Sequence, residues 1–217
     1  MKKIAVILSG CGVFDGAEIQ ESVLTLLYLA RAGASYQCFA PDIKQMHVLN
    51  HTTGEEMDES RNVLIEASRI CRGDIKPVDE LKAKDFDAVI LPGGFGAAKN
   101  LSDFAVEGAN SKVEASTLSA LKDFAEAKKP AGYICIAPAM IPHVYGKGAK
   151  ATIGNDEDTA KAIEQMGGTH VRCTVDDIVI DKENRLVTTP AYMLAESITH
   201  ADAGISKLVA EVLNMCD

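Results

Sequence analysis

Three kinds of feature are missing from the sequence, and each absence excludes a class of protein. No apolar run approaches the eighteen residues of a membrane-spanning helix, so we expect no membrane partner. Lysine and arginine form no cluster and the net charge is −9, which argues against nucleic acid as a partner. A small neutral or polarised molecule is the partner that this charge favours.

Paired cysteines are also missing, because the six cysteines are scattered and form no CxxC motif. This spacing is typical neither of a disulfide framework nor of a zinc site. His47 and His51 have the i, i+4 spacing of metal ligands, but "HVLNHTTG" does not look helical, so we predict no metal. The simplest interpretation is reduced thiols in a cytoplasmic location.

What the chain does contain is an alternation of apolar, β-branched runs with segments of helical period. With 217 residues and 47% apolar content it is long enough for one globular domain, predicted over 1–217. The pattern predicts an α/β fold with a mostly parallel central sheet. The strands are predicted in "KIAVILS", "SYQCFAP", "FDAVILPGG" and "AGYICI", and the helices in "EIQESVLTLLYLARAG", which stops at Gly33, and "TLSALKDFAEAKK".

Residues 42–84 form a small insertion after the second strand, with a hairpin predicted in "HVLNHTTGEEM" and a short helix in "SRNVLIEASRI". The C-terminal part is predicted to contain a strand in "GKGAKATIG" and a helix in "DEDTAKAIEQMG". Two further strands in "DDIVIDKENRLVTTP" are joined at 182–184 by turn-forming residues. An amphipathic helix, "ADAGISKLVAEVLNM", closes the chain.

A cysteine stands at the joint between a strand and a helix in "GYICIAPAM". Ligands of open α/β sheets bind outside the carboxyl ends of the strands, which is where Cys135 is predicted to lie. Pro138 suits the first turn of the following helix, whose N-terminus would favour thiolate over thiol. The backbone N–H of Ile136 would be free to face an oxyanion. The alternative is that Cys135 is one more small core residue.

Two other loops are predicted at the same edge of the sheet. "LPGGFGA" ends a strand in glycines, which lets backbone N–H groups approach a ligand closely, although such a turn is often only a turn. "GCGVFDGAEIQESV" carries Asp15, Glu18 and Glu21, although acids in a first helical turn are often placed there by the helix dipole. Together with the Cys135 elbow, these loops predict one crevice.

These residues resemble a known family. "VILPGG", followed about forty residues later by an elbow cysteine, is similar to the PfpI and protein-deglycase superfamily, relatives of the class I glutamine amidotransferases. The resemblance covers nearly the whole chain. Its longer strings, "GCGVFDGAEIQESV", "HVLNHTTGE" and "CIAPAM", look most like the glyoxalase-like ElbB group, which is linked by name to enhanced lycopene biosynthesis.

The resemblance implies a flavodoxin-like three-layer sandwich that forms a homodimer and needs no cofactor. It implies Cys135 as the nucleophile and the N–H groups of Gly94 and Ile136 as the oxyanion hole, with Gly93 as an accessory residue. It also implies that Glu21 hydrogen-bonds the cysteine sulfur. A carboxylate would repel a thiolate there, so Glu21 must hold a proton, which burial beside a second acid could arrange.

Glu18, one helical turn earlier, is the alternative candidate for the contact with the sulfur. A histidine base is missing, because Ile136 follows the nucleophile and "ATIGND" stands where relatives carry a histidine. A hydrolytic Cys-His-acid triad, and with it protease or glutaminase activity, is therefore not expected. His51 could fold over the crevice from the insertion and lend a base, but a surface hairpin is the alternative.

The sequence thus predicts a weak, cofactor-independent glyoxalase of the hydro-lyase type, acting on a small aldehyde. Cys135 would add to glyoxal or methylglyoxal as a hemithioacetal, and the products would be glycolate or lactate. The same addition to glycated thiols or amines would appear as protein deglycation. The alternative is a non-catalytic redox sensor or binding module in which Cys135 is oxidised.

Overall fold

A seven-stranded sheet forms the centre of the computed structural model, which describes residues 1–216. Its strands are β1 (Lys3–Ile7), β2 (Ser35–Ala40), β3 (Ile75–Pro77), β4 (Ala88–Leu91), β5 (Ala131–Ile134), β8 (Val179–Asp181) and β9 (Leu186–Thr189). The strand order is β3-β2-β1-β4-β5-β9-β8, and all neighbours are parallel except β8 and β9. This is the mostly parallel sheet that the sequence pattern predicts, in the flavodoxin-like arrangement that the resemblance implies.

Helices cover both faces of the sheet, which explains why its central strands lack polar alternation. Along β1, Ile4 and Val6 join one apolar core, while Ala5 and Ile7 join the other. The helices are α1 (Ile19–Arg31), α2 (Val63–Ala67), α3 (Phe95–Lys99), α4 (Phe104–Glu107), α5 (Ala115–Glu126), α6 (Ile141–Tyr145), α7 (Glu157–Gln165) and α8 (Ile198–Met215). Within the described residues, none of them has both the length and the apolar character needed to cross a bilayer.

The first helix begins and ends where the sequence predicts. Glu18 is its N-cap, and its carboxylate accepts a hydrogen bond from the backbone N–H of Glu21 at 2.6 Å. Gly33 follows the helix with φ of 72°, the left-handed conformation that glycine adopts without strain. The helix therefore starts at the carboxyl end of β1, and its first turn lies at the edge of the sheet where ligands bind.

The insertion differs from the prediction in two respects. Its hairpin is reduced to a single bridge between Leu49 and Glu56, and its helix is α2, as predicted. The prediction missed β3, which adds an edge strand parallel to β2. A three-residue strand carries too little periodicity to detect, and Pro77 lacks the N–H of a ladder residue, which only an edge strand tolerates.

The C-terminal part also differs from the prediction, in the bounds of one strand and one helix. Only β6 (Lys150–Ala151) of "GKGAKATIG" is a strand, and it pairs with β7 (Thr169–His170) outside the main sheet. The predicted hairpin is present as antiparallel β8 and β9, and α8 begins a few residues earlier than predicted. The elbow helix is also short, as its prolines predict: a 3₁₀ turn over Ala137–Met140 leads into α6.

Packing of α8 on the sheet gives a test of the fold. Leu208 is fully buried, and no side chain fits at Gly132 of β5, where a Cβ would lie 2.8 Å from Leu208 Cδ2. We expect Leu208→Ala to lower the free energy of unfolding by about 2–5 kcal/mol, measured by urea denaturation. Leu27→Ala on α1, where the leucine is 38% exposed, is the matched control and should have a much smaller effect. Equal effects would contradict this packing.

Candidate active site

Cys135 occupies a strained turn at the carboxyl end of β5. Its φ is +62°, in the left-handed region that residues other than glycine rarely adopt. Its backbone N–H donates to the carbonyl of Thr189 at 3.0 Å, which ties the turn to the neighbouring strand β9. Backbone strain of this kind persists only where the surrounding structure imposes it, and it is the geometry of a nucleophile elbow.

Gly93 allows the loop after β4 to lie directly against this elbow. A Cβ at this position would be 2.3 Å from Cys135 Cβ and 2.8 Å from Glu21 Oε2, so only glycine fits. Gly94 has φ of 91° and is equally confined, because a Cβ there would be 2.3 Å from the backbone nitrogen of Glu18. The three loops predicted to meet at this edge therefore do meet.

The Glu21 carboxyl group lies at the point where these loops join. It is fully buried, and its two oxygens accept hydrogen bonds from the backbone N–H of Gly93, at 2.8 Å, and of Tyr192, at 3.1 Å. It also lies beside Cys135, and the two groups shift each other's pKa. Glu21 is therefore the acid that lies beside the cysteine, and its hydrogen bond to the sulfur stays a prediction of the resemblance.

Burial, reinforced by the neighbouring charge of Glu18, raises the pKa of Glu21 to about 8. The N–H groups of Tyr192 and Gly93 oppose this rise only in part. Glu21 therefore holds a proton at neutral pH, so it can donate a hydrogen bond to the sulfur instead of repelling it.

The state of the sulfur differs from the prediction. Burial raises the pKa of the Cys135 thiol well above its ordinary value, and charge on Glu21 raises it further. Hydrogen bonds from the backbone N–H groups of Gly94 and Ile136 oppose this, but they are outweighed. Burial therefore outweighs the stabilisation of a thiolate that the sequence leads us to expect from the following helix. The resting sulfur is a thiol.

Glu18 is not the residue that contacts the sulfur. Its side chain caps α1, and burial raises its pKa. It faces the cavity above Cys135, whereas the buried Glu21 lies against the sulfur. The structure thus separates the two carboxyl groups that the sequence left as alternatives for one contact.

A cavity of about 420 Å³ opens above Cys135. Its polar lining includes Glu18, Asp156, Thr159 and Tyr192, and no lysine, arginine or histidine is found among its described lining residues. Most of its wall is apolar, formed by Val13, Phe95, Ala98, Phe104, Ala105, Ile136 and Met193. Cys135 itself is 7% exposed and is reached from this cavity.

The structure does not bring His51 into the cavity. Its ring stacks on Phe14 at 4.9 Å between centroids, and its Nε2 accepts a hydrogen bond from the backbone N–H of Phe14 at 3.2 Å. Asp15 fixes the same loop by accepting from the backbone N–H of Leu49 at 2.7 Å. The insertion therefore packs against the first loop and supports it from outside. In residues 1–216, no cluster of three or more histidine, cysteine or acidic residues is suited to a metal ion.

Sequence analysis missed the contribution of the segment after β9. Tyr192 donates its N–H to Glu21, and Tyr192 and Met193 line the cavity. The missing information was topological, because the sequence does not show that β9 lies beside β5 and ends at the same edge. The rule that ligands bind at carboxyl ends of parallel strands would have identified this segment once that strand order was known.

Comparison with known proteins agrees with this geometry. Residues 2–195 match the model of the DJ-1/PfpI family. The chain belongs to the DJ-1/PfpI family. It is 45% identical to the ES1 protein homolog, mitochondrial, of Rattus norvegicus, over 98% of this chain and 84% of that protein. It is 44% identical to the human glutamine amidotransferase-like class 1 domain-containing protein 3, mitochondrial, over 98% and 83%.

A solved structure from the same family is also similar over its full length. The isoprenoid biosynthesis protein with an amidotransferase-like domain from Ehrlichia chaffeensis has a TM-score of 0.92 and 36% identity, covering 99% of both chains. Together with the sheet topology, this likeness bears out the predicted superfamily and its ElbB-like branch. The word mitochondrial in the relatives' names applies to those proteins, and a cytoplasmic location and a homodimer stay predictions for this DJ-1/PfpI chain.

The coupling between Glu21 and Cys135 gives a prediction for thiol reactivity. In Glu21→Gln no negative charge can form beside the sulfur, so the pKa of Cys135 should fall. We expect the midpoint of pH-dependent alkylation at Cys135, read by peptide mass spectrometry, to move down by about one pH unit or more. Glu126→Gln on the exposed end of α5 should leave the midpoint unchanged. A midpoint that stays or rises in Glu21→Gln would show that the carboxyl group does not act on the sulfur.

Proposed function

We propose that this DJ-1/PfpI protein is a cofactor-independent glyoxalase-type enzyme that converts glyoxal to glycolate and methylglyoxal to lactate. The observation that carries the proposal is the fully buried Glu21 carboxyl group beside Cys135 at a strained elbow, beneath a cavity. The family includes enzymes of the glyoxalase and deglycase type, which supports an enzymatic role in general.

The first step is addition of the Cys135 sulfur to the aldehyde carbon. A carbon–sulfur bond forms, the carbonyl π bond breaks, and the thiol proton passes to the new hydroxyl oxygen. Addition of a thiol in this way needs no permanent thiolate, so the raised pKa of Cys135 is compatible with it. The N–H groups of Gly94 and Ile136, which lie at the sulfur, stabilise charge on the oxygen as the bond forms.

The second step moves hydrogen between the two substrate carbons. A base takes the proton from the carbinol carbon to give an enediol, and return of a proton to the neighbouring carbon gives a thioester. Glu21 suits this role because, with a pKa of about 8, its ionised form is still populated near the working pH and takes the proton, which the same carboxyl group then returns. One substrate carbon is oxidised and its neighbour is reduced, so no external electron acceptor is required.

Water then cleaves the thioester, releasing a 2-hydroxy acid and restoring the Cys135 thiol. The net reaction adds one water molecule to the 2-oxoaldehyde. Glycated thiols or amines would react by the same steps, beginning with the addition of Cys135, so the enzyme would also act as a deglycase. No histidine is found among the described lining residues of the cavity, so carboxyl groups carry the protons: Glu21 beside Cys135, with Glu18 in the lining itself.

The alternative role, a cysteine redox sensor, is less well supported by the site. Oxidation of a thiol by peroxide requires thiolate character and access to solvent. Cys135 is 7% exposed, and burial raises its pKa. A sensor cysteine is typically exposed to solvent and has a lowered pKa, so we favour the enzyme.

Steady-state turnover of glyoxal and methylglyoxal tests the proposal. Cys135→Ala should abolish formation of glycolate and lactate, because no hemithioacetal can form. Glu21→Gln should lower kcat by about 10²–10⁴-fold, since it removes the proton carrier and keeps the shape of the side chain. Cys11→Ala, which changes a thiol outside the cavity lining, is the control and should retain activity. Turnover that survives Cys135→Ala would eliminate the enzyme proposal.

A further inference from the structure

The cavity above Cys135 is larger and more apolar than a two-carbon substrate requires. Resting on the proposed function, we propose that the site recognises uncharged 2-oxo compounds with a branched or extended apolar substituent. Its preferred substrates are 2-oxoaldehydes that carry such a substituent, and glyoxal, which has none, is a poorer substrate. The inference depends on the volume, the apolar wall and the charge of the cavity, each of which is argued below.

Volume is the first argument. Cavities of roughly 300–1,000 Å³ hold ligands of drug size. At about 420 Å³, this cavity would remain mostly filled with water around glyoxal or methylglyoxal. Water left against an apolar wall contributes nothing to binding, whereas a substituent that displaces it gains the free energy of apolar burial.

The wall itself is the second argument. Phe104 from α4 and Phe95 from α3 form one side of the cavity, and Met193 after β9 forms part of the rest. Phe95 is 48% exposed, although large apolar side chains are usually covered by their own protein. A branched alkyl substituent on the substrate would cover these surfaces while its aldehyde carbon lies at Cys135.

Charge is the third argument, and it disfavours anionic substrates. The described lining contains two acidic side chains, Glu18 and Asp156, and no cationic side chain. Hydrogen bonds from Thr159 lower the pKa of Asp156, which therefore stays ionised at neutral pH. A substrate carboxylate would lose its hydration without gaining a partner, which is unfavourable. The same charge favours release of the 2-hydroxy acid product, which is an anion.

The experiment compares three 2-oxoaldehydes by kcat/KM: methylglyoxal, 4-methyl-2-oxopentanal, which is branched and neutral, and 4,5-dioxopentanoate, which is similar in size but anionic. We expect the branched aldehyde to exceed methylglyoxal and the anion each by about 10-fold or more. Phe104→Ala should lower the value for the branched aldehyde about 10-fold and lower the value for methylglyoxal much less. Helix α4 buries none of its residues, so this substitution should not disturb folding.

Val106→Ala in the same helix is the matched control, because Val106 is 67% exposed and lies outside the cavity lining. It should leave all three substrates unchanged. Equal kcat/KM values for the branched aldehyde and methylglyoxal would overturn the inference and leave the proposed function standing. So would an equal effect of Phe104→Ala on both of them.

A binding measurement separates failure of the inference from failure of the proposed function. The neutral ketone 4-methyl-2-pentanone and the anion 4-oxopentanoate cannot be turned over, and ligand-observed NMR reports their binding directly. Preferential binding of the ketone, weakened by Phe104→Ala, supports the inference about the cavity even if no aldehyde is converted. Binding of both compounds alike, or of neither, overturns it.

Discussion

The site depends on one hydrogen-bonded carboxyl group, that of Glu21. Its oxygens are held by the backbone N–H groups of Gly93, at 2.8 Å, and Tyr192, at 3.1 Å, and it contacts the Cys135 sulfur. The group thereby joins the first turn of α1, the loop after β4, the elbow after β5 and the segment after β9. Burial makes its neutral form the stable one, so the site joins a carboxylic acid to a thiol rather than two anions.

This arrangement has a stability consequence with a defined sign. The pKa of Glu21 is raised to about 8 in the folded protein, whereas an unperturbed glutamate has a pKa of about 4.3. The folded state therefore binds this proton more tightly. The stability it contributes is fully present below pH of about 4.3 and is lost as the pH rises through about 8. The strained φ of Cys135 adds a further local cost, which fits a site maintained for chemistry rather than for packing.

Much of this could be predicted from the sequence, because local patterns carried it. The apolar runs located the central strands, Gly33 marked the end of α1, and the glycines of "LPGGFGA" located the close approach to Cys135. The predictions that were wrong or missing concern features set by long-range packing: the pKa of the Cys135 thiol and the position of Tyr192. The sequence places Cys135 before a helix, but it does not show how deeply the thiol is buried, and burial raises the thiol pKa instead of lowering it. Tyr192 was missed because the order of strands in the sheet cannot be inferred from local sequence patterns.

The protonation state of Glu21 at neutral pH is the central claim, and carbon NMR tests it most directly. The protein labelled with ¹³C at the glutamate side-chain carboxyl carbon would be titrated by pH, with Glu21→Gln identifying the resonance. We predict that this resonance titrates with a midpoint of about 8 and that the group is neutral at pH 7. A midpoint of about 4.3, the ordinary value for glutamate, would contradict the account.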